Sequence, residues 1–498
     1  VPIYEQEKDF NEVMAEQLQR APWLALSLVL NGLAFLFLYY FAAGEEVVEE
    51  EAIIEMAPTE VVEVQEEEPE EEEKPEEEEV VEVVEVNETE VSEIGENPSE
   101  FEESEVDVSQ MESAFDSNQW NSALGLGGGA GGKYGGRGGG GGRGGKGGRA
   151  TQQAVQDGLR WLKDHQDTEG KWDTDEFMKH DDSARGPICD GSGNPVHDVG
   201  NTGLALLAFL GDGTTLRSGT YTDVVKRGVR WLQGQQDRKS GLFGTNASHD
   251  FIYDHAIAAY AMAEAYGLSK ARLLKPYAQR GINYLESHRN PYMVWRYQPQ
   301  DKDNDTSVTG WCVMAYESAK YFKLEVNPRA LELAATWFDQ VADPVTGRHG
   351  YQKKGELSSR QGADHAAKFP REKGESMTAV ALFCRYFMGQ DPKEKQIMQK
   401  SADLLLSKPP NYNETDGSID HYYWYYASYA LYQAGGTYWK RWQKHLVPTV
   451  VKPQRKDGNF EGSWDPNGVW GSDGGRVYST ALNVLTLQVH YRYSRIVR

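Results

Sequence analysis

The stretch Gly158–Trp172 reads GLRWLKDHQDTEGKW. It returns as GVRWLQGQQDRKSGLF over Gly228–Phe243 and, degenerately, as VVKPQRKDGNF over Val450–Phe460. Each copy ends a helix, turns through Gln and Gly, and closes on an aromatic ring. Weaker copies centre on Tyr284-Leu285, Trp337-Phe338 and Leu404-Leu405. Such a period marks a fold built by repeating one supersecondary unit. Between the copies run stretches without a polar face, for example NTGLALLAFLG (Asn201–Gly211), HAIAAYAMAEAYG (His255–Gly267) and MTAVALFCRYFMG (Met377–Gly389). A helix apolar all round is buried on every side, whereas the repeat helices pair one apolar stripe with a charged face. Six buried helices are predicted to begin near Asp198, Asp254, Asp305, Glu375, Asp420 and Arg476. Each pairs with an amphipathic one, giving an all-α fold: an α/α toroid of about six helical hairpins over residues 150–498. Further helix starts are expected at Asn327-Pro328 and at Asp391-Pro392-Lys393-Glu394, a capping residue followed by proline.

The chain before the repeats has a different character. Residues 1–21 are polar. Residues 22–43, PWLALSLVLNGLAFLFLYYFAA, carry no charge and suit a helix of ~20 residues crossing the bilayer, with Trp23, Tyr39 and Tyr40 at the interfaces. A cleaved signal peptide fits less well, because no basic region and small-residue cleavage motif accompany the stretch. Lys8 and Arg20 precede it and nothing basic follows until Lys74, so the positive-inside rule puts the N-terminus in the cytoplasm and the toroid in the periplasm or envelope space, on an inner-membrane single-pass anchor.

The formal charge of −26 is distributed unevenly: residues 45–107 alone carry −29, with 30 acidic side chains against Lys74, and residues 150–498 carry +3. The acidic spacer, 44–107, cannot bury enough apolar surface to order itself. Its valine and isoleucine doublets are either short docking strands or simply solvated. Residues 108–149 follow as a linker in which 17 of the 24 positions from 125 to 148 are glycine, read as a hinge rather than an RGG-type binding arm. The two segments make a tether of ~105 residues, ~350 Å when stretched. This balance argues against nucleic acid as a partner. Three distant cysteines, Cys189, Cys312 and Cys384, exclude a disulfide framework.

The Gln-x3-Gly-x-Trp element carried by Gln166, Gly170 and Trp172, by Gln236, Gly241 and Phe243, and by Gln454, Gly458 and Phe460 resembles the QW repeat of the terpenoid cyclase and protein prenyltransferase superfamily. DVGNTGLALLAFLGDG, DNDTSVTGW, ESMTAVALF, YYWYYA and GSWDP…GGRVYSTAL extend the likeness to bacterial membrane-anchored proteins with prenyltransferase/squalene-oxidase repeats. The resemblance implies the toroid and leaves the reaction open. Ser27-x3-Asn31 within a lone span, followed by an acidic spacer, is similar to TonB-type energy transducers. That likeness implies docking of Ser27 and Asn31 on an inner-membrane, proton-driven motor, with Asn31 standing where those proteins carry His.

A class II cyclase needs an acidic Asp in a DxDD motif at an inner-helix mouth. Asp303-Asn304-Asp305 lacks one Asp of it, and Asp305 reads first as a helix cap, a position that lowers a carboxyl pKa where a strong general acid needs the reverse. Asp303 and Asp305 are the catalytic candidates; Asp181-Asp182-Ser183-Ala184 is a poorer match in a loop. Because inner helices run parallel, the loops leading into them converge on one mouth, to which they bring His197, Asp198, Asp254, His255, Arg360, Arg371, Asp465, Trp470, Asp473 and Arg476. Tyr422, Trp424 and Tyr425 are either a ligand-stacking wall or core. No His/Cys/Asp spacing is diagnostic of a metal: Cys189, Asp190, His197 and Asp198 are read as caps and loop groups, and no cofactor is assigned. The expected ligand is an extended apolar, isoprenoid-type molecule or a polymer such as a glycan. The alternatives are an enzyme (cyclase-like, prenyltransferase-like or polysaccharide-cleaving) and an energy-transducing or structural adaptor with the toroid as a protein-binding head.

Overall fold

The computed structural model describes residues 148–493, and the predicted span, spacer and glycine linker lie outside the described residues. Among the described residues no helix is long and apolar enough to cross a membrane. Six outer helices, α1 (Gly148–Asp164), α3 (Thr222–Gln235), α5 (Lys275–His288), α7 (Pro328–Val341), α9 (Gln396–Leu406) and α11 (Gly436–Val451), alternate with six inner ones. The inner set is α2 (Asp198–Gly211), α4 (Phe251–Ser269), α6 (Thr306–Tyr321), α8 (Ser376–Phe387), α10 (His421–Ala434) and α12 (Gly471–Leu487). Each inner helix packs on the next, and α12 packs back on α2 to close the ring; α1 lies outside α12. The structure is therefore the all-α toroid of six hairpins that the repeat predicts. All of α8 and α10 is buried, as their uniformly apolar sequences require. Cys312 and Cys384 are fully buried core residues.

The repeated turn is a device for stacking one hairpin on the next. Gln166 Nε2 donates to Gly170 O within its own turn (2.9 Å) and to Val224 O of the following outer helix (3.0 Å). Gln236 does the same to Gly241 O (3.1 Å) and Tyr277 O (3.0 Å). Gly170 has φ +114, and a Cβ there would lie 2.3 Å from Arg227 O, so only glycine lets the turn touch its neighbour. Trp172 plugs the gap, its Nε1 donating to Leu162 O (2.6 Å) and its backbone N–H to Thr202 Oγ1 (3.0 Å). The third copy is corrected by its geometry: Gln454 reaches Gly462 O (2.9 Å), not Gly458, and the plug is Trp464, bonded to Val450 O (2.6 Å), not Phe460. Four extra residues in that turn hide the register.

Two predicted helix starts differ in outcome. Asn327 caps α7, its side chain accepting from Arg329 N (3.0 Å). Asp391 accepts from Lys393 N (2.8 Å) in an isolated turn, and the helix begins only at Gln396. The closed end of the ring, opposite the starts of the inner helices, is filled by the C-terminal segment: Arg492 donates to Leu207 O at the end of α2 (2.6 Å) and pairs with Glu264 of α4 (3.1 Å), both side chains fully buried.

Candidate functional site

All six inner helices start around one mouth, and their first turns line a cavity of about 350 Å³. Gly200 and Asn201 come from α2, Tyr253 and Asp254 from α4, Ser307 and Trp311 from α6, Ser376 and Met377 from α8, Tyr422 from α10, and Gly474 and Tyr478 from α12. Asp473 in the first turn of α12 adds to these, and loops add His197, Asp250, Arg296, Tyr297, Tyr351, Arg360, Gln361 and Trp470. Gln361 Nε2 donates to Asp473 Oδ2 (3.0 Å), and His365 Nε2 lies 2.7 Å from Val469 O, so the long connection from α7 to α8 reaches the start of α12.

The best-defined polar pair on the wall is Asp254 with His197. His197 Nδ1 lies 3.1 Å from both Asp254 oxygens, and Nε2 lies 3.8 Å from Asp250. Burial disfavours the imidazolium, but the Asp254 hydrogen bond and charge, with Asp250 and Asp473 adding, push the His197 pKa up to about 9. The ring is therefore cationic at neutral pH. Burial raises the Asp254 carboxyl and His197 opposes it. Gly200 makes the arrangement possible, since a Cβ there would stand 2.2 Å from Asp254 Oδ1.

Behind the wall lies Asp305, fully buried. Its Oδ1 accepts from Val308 N (2.7 Å), capping α6, and its Oδ2 accepts from the Tyr351 hydroxyl (3.2 Å), which is 2.7 Å from the Tyr297 hydroxyl. Arg296 Nε stands 3.8 Å from Oδ2 without a hydrogen-bond partner. The cap exists as expected, yet the expected low pKa is overturned: burial pushes the carboxyl up to about 7, against the Val308 and Tyr351 hydrogen bonds and the Arg296 charge. A chain of two phenols thus connects a protonatable carboxyl to the cavity.

Of the residues proposed from sequence, His197, Asp254, Tyr422, Trp470, Asp473 and Arg360 reach the lumen, and Asp305 reaches it through Tyr351. The others do not. Asp303 is an exposed partner of Arg296 (2.6 Å). Asp198 staples its loop, binding Lys171 Nζ (2.7 Å) and Thr174 N (2.9 Å). His255 is structural: its Nδ1 accepts from Phe243 N (3.0 Å), Nε2 lies 3.1 Å from Gly281 O, and burial lowers its pKa to about 3. Trp424 packs edge-on against His421, and Tyr425 stacks beneath Trp311. Arg476 is held by Asp190 (2.5 Å) and Asp465 (2.6 Å), pinning the first loop to α12. Arg371 lies in an exposed turn. Ser27 and Asn31 lie outside the described residues. Sequence reasoning missed Tyr253, Arg296, Tyr297, Trp311, Tyr351 and Tyr478. Two of these carry a signal: Arg296 directly follows Trp295, and Tyr351 comes two places after His349. Trp295 and His349 are the residues occupying the plug position of their repeats, with backbone N–H groups on Thr309 and Thr378.

The chain matches no known protein family and no curated protein. Among solved structures it is similar in architecture to an inactive variant of an alpha-1,6-mannanase of Salegentibacter (11% identity, 69% of this chain and 99% of that one, TM-score 0.46). It is likewise similar to a cellobiose 2-epimerase of Bacillus thermoamylovorans (14%, 68% and 97%, 0.47) and to a variant of a type II terpene cyclase of Scytonema (12%, 69% and 96%, 0.43). Identity this low transfers no residue role.

Proposed function

We propose that the mouth binds a polyhydroxylated ring, a glycan or a piece of one, and acts on it by acid–base chemistry. The observation that carries this reading is the composition of the cavity lining. The rings of Trp311, Tyr422, Trp470 and Tyr297 share it with Asp254, Asp250, Asp473, Asn201, Arg296 and Arg360, beside the apolar Leu204, Ile257 and Met377. A sugar offers C–H faces to rings and hydroxyls to carboxylates, amides and guanidinium groups. An isoprenoid chain would strip water from those charges without replacing it, at a cost of several kcal/mol for each ion. The polysaccharide-directed alternative is therefore favoured over the isoprenoid ligand. Acid–base chemistry on a sugar needs two carboxyls in different roles, and the mouth brings together Asp254 on its lining and Asp305 behind the Tyr351 hydroxyl. Asp254, beside His197, serves as the base, and a protonated Asp305, turned to donate to the Tyr351 oxygen, replaces the proton that the Tyr351 hydroxyl passes to the sugar.

The test is a panel of oligosaccharides incubated with the protein and read by mass spectrometry. Turnover is expected to fall by at least about 100-fold in Asp254→Asn with the melting temperature held. Unimpaired turnover by that variant would remove Asp254 from the chemistry, and a co-purifying isoprenoid with no glycan bound would overturn the reading. From sequence we also propose that residues 22–43 anchor the toroid in the inner membrane and that Ser27 and Asn31 face a membrane partner. Release of the full chain by alkaline carbonate would refute the anchor, and a crosslinked partner that survives Ser27→Ala with Asn31→Leu would refute the contact.

A further inference from the structure

The Asp181-Asp182-Ser183-Ala184 segment, a failed cyclase motif, takes part in an arrangement away from the mouth. Asp181 Oδ1 lies 2.8 Å from His165 Nε2 at the end of α1, and Oδ2 accepts from Cys189 N (2.5 Å). The three potential ligand atoms, His165 N, Asp181 O and Cys189 Sγ, all lie within 4.8 Å of one another. His165 and Cys189 are each 3% exposed, and the Asp181 side chain 2%. None of the three lines the cavity.

His165 Nδ1 is 2.8 Å from Trp161 O. A carbonyl can only accept, so a neutral ring places its single N–H there and turns the Nε2 lone pair toward a carboxylate. Two lone pairs at that separation repel unless a cation stands between them. The thiol brought to the same point selects which cation. Thiolate, imidazole and carboxylate together are a zinc set, and thiolate plus carboxylate cancel its double charge. The neighbouring cluster of Asp173, Asp175 and Asp198 differs, because Lys171 (2.9 and 2.7 Å) and Lys179 (2.9 Å) already pair with Asp173 and Asp198.

We propose that His165, Asp181 and Cys189 bind a zinc ion that clamps the first interhelical loop to the end of α1. Tetrahedral ligation widens the His165–Asp181 separation to ~3.3 Å, a small movement for a loop residue. The stretch 182–188, which joins Asp181 to Cys189, is exposed, so the ligand-bearing loop is open to solvent on one side, and water would complete the fourth position. The same loop delivers His197 to the mouth, so the clamp supports the cavity without taking part in its chemistry.

The full chain, stripped with chelator and then titrated with Zn²⁺, is expected to take up about one ion per chain and to melt higher. Co²⁺ in its place is expected to give a thiolate-to-metal charge-transfer band in wild type, Cys312→Ser and Cys384→Ser, but not in Cys189→Ser. Zinc affinity should fall by more than about tenfold in Cys189→Ser and in His165→Gln. The absence of both uptake and the band in the folded wild-type chain would overturn the proposal and leave a hydrogen-bonded His165–Asp181 pair. Retention of the band by Cys189→Ser would overturn it equally. Because wild type alone decides the first outcome, a misfolded variant cannot rescue the idea.

Discussion

The two ends of the ring treat buried charge in opposite ways. At the closed end Arg492 and Glu264, both fully buried, face each other at 3.1 Å, with the hydroxyls of Tyr260 and Tyr493 filling the remaining positions. At the mouth Asp254 and His197 face a cavity, and Asp305 is joined to it by phenols. The same fold thus seals one end with a hydrogen-bonded ion pair and leaves the other with carboxyls that face a lumen or connect to it. Charge satisfied by protein serves stability, whereas charge turned toward a lumen is available to a ligand.

The contrast can be broken most sharply at the closed end. Removing either partner there, by Arg492→Ala or Glu264→Ala, strands the other charge in the core and is expected to cost about 3–5 kcal/mol in urea unfolding. A loss under about 1 kcal/mol would mean that the network is solvated.

At the mouth the expected effects depend on pH. Asp305 moves from 3.8 to about 7 on folding, so the folded chain holds a proton that the unfolded chain releases. Its contribution is most favourable below pH 3.8, is lost by about 1.4 kcal/mol per pH unit as pH rises toward 7, and is constant above. Asp305→Asn keeps the cap and should flatten that slope relative to wild type; parallel stability curves would return the aspartate to capping alone. His197 has the later window. Raised from 6.5 to about 9, it favours the fold fully below 6.5, and that gain is lost as pH climbs through 9. His197→Gln should remove the alkaline loss, while Asp254, without the ring that opposes its burial, adds its own loss of stability as pH rises at the acid end. The smallest effect belongs to Asp303, whose carboxylate pairs with Arg296 at the surface. Asp303→Ala should change stability by less than about 1 kcal/mol and leave ligand binding unaltered.

The ring is legible in the sequence because helices such as Thr306–Tyr321 and His421–Ala434 have no polar side to expose, a pattern that a core imposes directly on its residues. Asp254 and His197 are legible for a related reason, since parallel helices gather their first turns. What stays hidden depends on side-chain direction. His255 follows Asp254 in sequence, yet a helix turns successive residues by about 100°, and His255 faces the Phe243 turn while Asp254 faces the lumen. Arg296, Tyr297 and Tyr351 sit in connections whose path no periodicity reports. The raised pKa of Asp305 escapes the sequence because a cap on an exposed helix and a cap beneath a wall of tyrosines have the same local residues; only burial separates them.

The pairing of α1 with α12 has a consequence for how the ring is made. Gln454 donates to Ala154 O, and Trp161 to Asn459 O, across nearly the whole described chain. On the ribosome the first hairpin must therefore wait, with its apolar flank uncovered, until the last inner helix has emerged. Closure is then the slow, high-contact-order step, and the seam between the first and last hairpins is where exposure to proteases and chaperones lasts longest. Cutting the chain before Gly471 would uncover α1 and α2 together, so the final helix guards the beginning of the molecule as much as its end.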